Sequence, residues 1–105
     1  MDVDNAARLF AELGNRTRLD ILRLLIKAGP AGLSVGELQR HAGIPASTLA
    51  FHLRGLVGVG LVSQEKQGRV IRCQPCFPVL AEAVAFMKEE CCAGFGTEEQ
   101  AEDAA

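Results

Sequence analysis

Two short helical patterns separated by only Gly43-Ile44, followed at once by a change of hydrophobic period, leave this chain few folds to adopt. Ser34-Val35-Gly36-Glu37 has the form of a capping box, with Ser34 at the N-cap and Glu37 three residues on. A helix from there runs to His41 and is ended by Gly43. Pro45 suits the first turn of the next helix, in which Leu49, Leu53 and Leu56 form one apolar stripe. Two short helices joined by a tight turn containing glycine read as a helix-turn-helix. Beyond Gly58 and Gly60 the period becomes two. Residues 61–66 and 69–73 are strand candidates joined around Gln67-Gly68, a hairpin with a polar tip.

The flanking segments complete the order. Ala6, Leu9, Phe10 and Leu13 lie at helical spacing before Gly14. Asn15 can cap a second helix, apolar at Leu19, Ile21, Leu22, Leu24, Leu25 and Ile26, which stops at Gly29-Pro30. So wide an apolar arc predicts a central position. Pro78 can start a last helix reaching about Cys92, with Leu80, Val84, Met87 and Cys91 along one stripe. The sequence thus predicts a mainly α fold with a small β-hairpin, a winged helix-turn-helix in the order α-α-α-α-β-β-α. Residues 1–92 form the single domain, and 93–105 an acidic tail with little to bury and no fixed structure.

Composition supports one domain and removes several classes of function. The chain has 105 residues, 49% of them hydrophobic and 23% charged, which excludes disorder throughout. Arg23, Lys27, Glu82 and Lys88 interrupt the apolar stretches, so no run approaches the roughly 20 residues of a membrane span. Asp2 and Asp4 stand where a signal peptide needs basic residues, so a cytoplasmic protein with four reduced thiols and no membrane partner is expected. Residues 1–72 carry ten Lys and Arg against six Asp and Glu, a net of +4, while residues 73–105 carry one against seven, a net of −6. A mildly basic body with an acidic end suits a nucleic-acid partner better than the overall charge of −2 suggests. No nucleotide loop, carboxylate pair or Ser-His arrangement is present, and no enzyme is expected.

The motifs carry a family resemblance. Leu13-Gly14-Asn15-Arg16-Thr17-Arg18-Leu19 resembles the L-x-D-P-T-R-L opening of the ArsR/SmtB bacterial metalloregulators. Ser47-Thr48-Leu49-Ala50-Phe51-His52-Leu53-Arg54-Gly55-Leu56 resembles their recognition helix, S-T-V-S-R-H-L-x-x-L, with Ala50 in place of the usual serine. Gly60-Leu61-Val62 and the Gly68-Arg69 of the wing follow in the family's order. The resemblance implies a homodimeric repressor that binds a palindromic operator in double-stranded DNA. With the leucine stripe inward, steps of 100° set Ser47, Thr48, Ala50, Phe51 and Arg54 on or beside the outward arc. Hydroxyls there can bond to bases or phosphates, and Ala50 or Phe51 can meet a thymine methyl. His52, beside the stripe, either bonds within the fold or joins the DNA contacts. Lys66 and Arg69 flank the hairpin tip and, with Arg40 and His41, can reach phosphates.

Cysteine usage points to the inducer. The family's C-V-C-x-L box is replaced by Ser34-Val35-Gly36-Glu37-Leu38, and the last helix holds no histidine for the family's second metal site. Cys73, Cys76, Cys91 and Cys92 remain, a thiolate set that suits soft ions. Glu90-Cys91-Cys92 resembles the arsenic-sensing branch, in which a terminal vicinal pair and a further cysteine bind trivalent arsenic. As(III) or another thiophilic ion is the expected inducer, with no organic cofactor. Fifteen residues separate Cys76 from Cys91, about 22 Å along a helix, so one chain does not close that gap. An antiparallel partner helix does, crossing near the small residues Ala81, Ala83, Val84 and Ala85. The expected site joins Cys91 and Cys92 of one chain with Cys73 or Cys76 of the other. The alternative is a repressor of the same fold that senses oxidants or persulfides through its thiols. Cys73-Gln74-Pro75-Cys76 superficially resembles a thioredoxin motif, but the βαβ scaffold that motif needs is not predicted here.

Overall fold

The computed structural model describes residues 1–96. Helix α1 (Val3–Leu13) is capped by Asp2, whose carboxylate accepts the Asn5 amide at 2.7 Å. Asn15 caps α2 (Arg16–Ala28) by accepting the Arg18 amide at 3.1 Å. Both side chains satisfy amides that a helix start leaves without an internal partner. Ile21, Leu22 and Leu25 bury the inner face of α2, and the helix packs against α1 and against the elements that follow. The central placement expected from its wide apolar arc is found.

A two-residue strand, β1 (Leu33–Ser34), leads directly into α3 (Val35–Ala42). The capping box is complete: Glu37 N–H donates to Ser34 Oγ at 3.1 Å, and Ser34 N–H donates to Glu37 Oε1 at 3.0 Å. These bonds hold the Glu37 carboxyl below the usual range, the backbone amide of Ser34 contributing most and its side chain next. Gly43 in the left-handed conformation ends α3. After Ile44, α4 (Ala46–Gly58) begins, burying Leu49, Leu53 and Leu56 as its stripe requires. The hairpin strands β2 (Val62–Gln67) and β3 (Val70–Pro75) pair antiparallel, with Gln64 opposite Cys73 and Lys66 opposite Ile71. Helix α5 (Phe77–Lys88) follows, with Ala83 buried, and packs against α1. Leu9, Leu38, Leu61 and Val62 join these side chains in one core.

Several boundaries depart from the sequence expectation. The sheet has three strands, in the order β1-β3-β2, because Leu33 and Ser34 pair with Cys73 and Arg72. Two residues carry no periodic signal, so β1 is invisible to pattern reading. Gly32 makes the pairing feasible: its φ is +69°, and a Cβ there would stand 1.8 Å from the Cys73 carbonyl oxygen. Pro45 is the N-cap of α4 rather than a residue of its first turn, and no side chain caps that helix. The hairpin turn is Gly68-Arg69, one residue later than expected, so Arg69 sits in the turn itself.

The largest correction concerns the last helix. It was expected to reach about Cys92 and ends at Lys88. Beyond it the chain tightens: Cys91 N–H bonds to Lys88 O at 2.8 Å and Ala93 N–H to Glu90 O at 3.1 Å. Cys92 adopts φ +64°, outside any helix. Glu89 and Glu90 would put negative charge at the negative end of the helix dipole, which disfavours continuation there. The acidic tail from Thr97 onward lies outside the described residues. Among the described residues no helix is long and apolar enough to cross a membrane.

Candidate nucleic-acid interface and thiol site

The outer arc of α4 has the composition of a surface that reads bases. Ser47, Ala50, Phe51 and Arg54 are exposed and Thr48 is half-buried, all in the turns that a recognition helix presents to a major groove. Because Pro45 contributes no capping side chain, the first amides of α4 lack a side-chain acceptor, and a phosphate oxygen suits them. His52 is a correction to the set of expected DNA contacts. It is 9% exposed, and its Nδ1 has no hydrogen-bond partner. On a 100° step it lies about 40° beyond Leu56, at the edge of the leucine stripe, and its burial shows that it is turned toward the core. Its ring meets Phe51 edge to face, with centroids 5.3 Å apart.

Arg40 and His41 are exposed in the last turn of α3, and Lys66 and Arg69 are exposed on the wing. Lys66 shares a sheet face with Ile71, while Arg69 projects from the tip. Arg40 and His41 thus stand exposed at the end of α3, and Lys66 and Arg69 at the end of the hairpin, on the two elements that precede and follow α4 in the chain. Arg18 is a residue of this surface to which the sequence pattern assigned no role. Its guanidinium lies 5.4 Å from the centroid of the Phe51 ring and pairs with Glu12 at 2.8 Å. Only its place in the α2 motif hinted at it, because a partner 33 positions away leaves no periodic trace.

The four cysteines do not form one cluster. Cys73 is fully buried in the core, where Gln64 Nε2 donates to its Sγ at 3.6 Å. Burial pushes its thiol above the ordinary range, with the Gln64 hydrogen bond acting in the opposite direction. It is therefore a small hydrophobe of the core rather than an available ligand, because β3 turns it inward opposite Gln64. Cys76 is half-buried at the N-cap of α5. Cys91 and Cys92 are exposed, with their sulfurs 3.3 Å apart. The twelve residues of α5, about 18 Å of helix, stand between Cys76 and that pair. Among the described residues no three His, Cys, Asp or Glu side chains converge as a metal site.

Burial makes two thiol classes measurable. Cys91 and Cys92 should be alkylated rapidly in the folded chain and Cys73 only at the rate of unfolding. A thiol whose folded pKa is raised adds stability below the ordinary thiol pKa, and that stability is lost as pH climbs past it. The denaturation midpoint is therefore expected to fall above about pH 8.5, and Cys73→Ala to flatten that fall. A midpoint equally pH-dependent in Cys73→Ala would assign it to other groups.

A three-stranded sheet with a hairpin wing directly after a helix-turn-helix, whose second helix leaves Ser47, Ala50, Phe51 and Arg54 exposed, has the architecture of a winged-helix DNA-binding domain. Residues 13–65 match the helix-turn-helix domain family. Over 85 residues the chain is 32% identical to a probable mercury resistance operon repressor from Streptomyces lividans, a match covering 81% of this chain and 66% of that protein. The fold is similar to that of an ArsR-like transcriptional regulator from Rhodococcus sp. RHA1, with a TM-score of 0.72, 30% identity, and 82% and 78% of the two chains covered. It is also similar to a homodimeric winged helix-turn-helix DNA-binding domain from Mycobacterium bovis, described as a possible ArsR-family regulator. That match has a TM-score of 0.66 and 26% identity and covers 86% and 83% of the chains. The chain belongs to the ArsR family of winged helix-turn-helix transcriptional regulators, a family of regulators and not of enzymes.

Proposed function

We propose that this chain is a homodimeric transcriptional repressor that leaves its operator when As(III), Hg(II) or a related thiophilic ion binds its cysteines. The observation that carries the reading is the exposed Cys91-Cys92 pair, with its sulfurs 3.3 Å apart. Two adjacent soft donors suit a soft ion, and the similar Streptomyces protein is named for mercury resistance. One chain supplies no third donor near them among the described residues. The third sulfur in this reading is Cys76 of the partner subunit, at the start of an antiparallel α5. The apolar side chains that such a dimer would cover are exposed: Val3 and Phe10 on α1, Val84 and Met87 on α5. Covering them would take four exposed apolar side chains out of water.

On DNA, Ser47, Thr48, Ala50 and Phe51 read base edges, Arg54 adds a contact beside them, and Lys66, Arg69, Arg40 and His41 hold phosphates. Ion binding across the α5 pair alters the separation of the two α4 helices. A coupling free energy of about 1–3 kcal/mol weakens DNA binding about 5–150-fold. A two-fold axis implies a palindromic operator with half-sites roughly 34–36 Å apart.

Selection from a randomised duplex library with the reduced chain tests the reading: a palindromic site is expected, released by As(III) or Hg(II). Release by peroxide or polysulfide alone would replace it with the thiol-redox reading, which the closeness of the Cys91 and Cys92 sulfurs also serves. Lys66→Ala and Arg69→Ala should each weaken binding to all duplexes and lower the salt slope by about 0.9. Thr48→Ala should instead relax base preference. Unchanged slopes in both wing variants would remove the wing from the interface.

A further inference from the structure

Arg18 lies at the junction of three helices, and its partners are unlike those of an ordinary surface arginine. Its Nη1 pairs with Glu12 Oε2 of α1 at 2.8 Å, with the two side chains only 17% and 32% exposed. The same guanidinium lies 5.4 Å from the Phe51 ring centroid on α4. Phe51 itself is 56% exposed, so half of its surface is presented outward beside Ala50 and Arg54. The backbone of α4 has been kept bare where this pair approaches: a Cβ on Gly55 would stand 2.5 Å from Glu12 Oε2 and 3.3 Å from Arg18 Nε. A glycine inside a helix forgoes about 1 kcal/mol relative to alanine, and here it makes room for an ion pair.

From these contacts we propose that Arg18 is a positioning residue for base recognition. Oriented by Glu12 and admitted by Gly55, it fixes the Phe51 ring in the direction from which that ring meets a thymine methyl. A phenylalanine on a helix surface otherwise samples several rotamers. A guanidinium held against one side of the ring selects among them, and His52 meets the ring edge to face from within the same helix. The dimerisation side of the domain, through α1, thereby touches the reading surface by a single side chain. The inference rests on the reading of Phe51 as a base contact, and its test separates the two.

Duplexes selected from a randomised library by the unaltered chain are the probe, with thymine replaced by uracil at each selected position in turn. Phe51→Ala should abolish the thymine-over-uracil preference at one position in each half-site. Arg18→Met keeps an unbranched apolar stem, removes the guanidinium that faces the ring, and should reduce the same preference about threefold to tenfold. It should leave the salt slope unchanged, whereas removing a cation that neutralises a phosphate would lower the slope by about 0.9. Combined with Phe51→Ala, Arg18→Met should add nothing. Gly55→Ala keeps the fold testable, since it gains helix propensity: its thermal midpoint should hold or rise while the preference falls, because Glu12 must move aside. Preference retained in Arg18→Met and Gly55→Ala, or a lowered salt slope in Arg18→Met, would overturn the positioning role while leaving Phe51 as a base contact. A thymine preference that survives Phe51→Ala would overturn both.

Discussion

Gly32→Ala is expected to unfold much of the domain, at a cost of roughly 3–5 kcal/mol against a total stability of about 5–15 kcal/mol. Two effects add. A left-handed φ of +69° costs an alanine about 1–2 kcal/mol. A Cβ placed 1.8 Å from the Cys73 carbonyl oxygen, with the Cys73 carbonyl carbon at 2.8 Å, must also push β1 away from β3. Backbone on both sides cannot yield as a flexible side chain would. Gly43→Ala is the control, because Gly43 has φ +67° and nothing within 4 Å of the added carbon. Only the conformational strain should appear there. Urea denaturation of both variants separates the two effects, and equal losses would show that the β1–β3 contact carries little.

The second large effect concerns release rather than folding. Cys91→Ser and Cys92→Ser should each leave DNA affinity unchanged, since both residues lie past α5 and far along the chain from α4 and the wing. Release by As(III) should be lost in both, because two sulfurs hold a pyramidal ion far less firmly than three. Cys73→Ser should behave differently. It puts a hydroxyl into a fully buried site and is expected to lower stability by about 1–3 kcal/mol without selectively removing the response to ions. Anisotropy titrations of labelled DNA with each variant measure both quantities at once.

How much of this could be read from the residues depended on whether the signal was periodic. The stripe of Leu49, Leu53 and Leu56, the Asn15 cap and the Ser34–Glu37 capping box all emerged as their spacing required. Each is a local pattern that its own segment dictates. β1 was not legible because two residues have no period, and its existence depends on Gly32 meeting Cys73, 41 positions away. The end of α5 is not legible from spacing, because Cys91 continues the apolar stripe while the charge of Glu89 and Glu90 opposes the helix dipole just past Lys88. Cysteine identity left Cys73 and Cys76 as equal candidates for the third ligand, but strand alternation on β3 turns Cys73 into the core. Cys73 faces it and Cys91 and Cys92 do not. The Glu12–Arg18–Phe51 contact joins three helices and no spacing rule anticipates it.

A thiolate site shared between two chains, controlling the grip on DNA, is open to test in a mixed dimer. One chain carries Cys91 and Cys92 changed to serine, and the other carries Cys76 changed to serine. Half of the wild-type As(III) stoichiometry is expected, since Cys76 of the first chain and the pair of the second still complete one site. Homodimers of either variant should bind no As(III) through three sulfurs. If the mixed dimer binds none either, the site lies within a single chain, and if the homodimer lacking Cys76 binds the full wild-type amount, Cys76 is not its third ligand; either result contradicts the shared site built on Cys76.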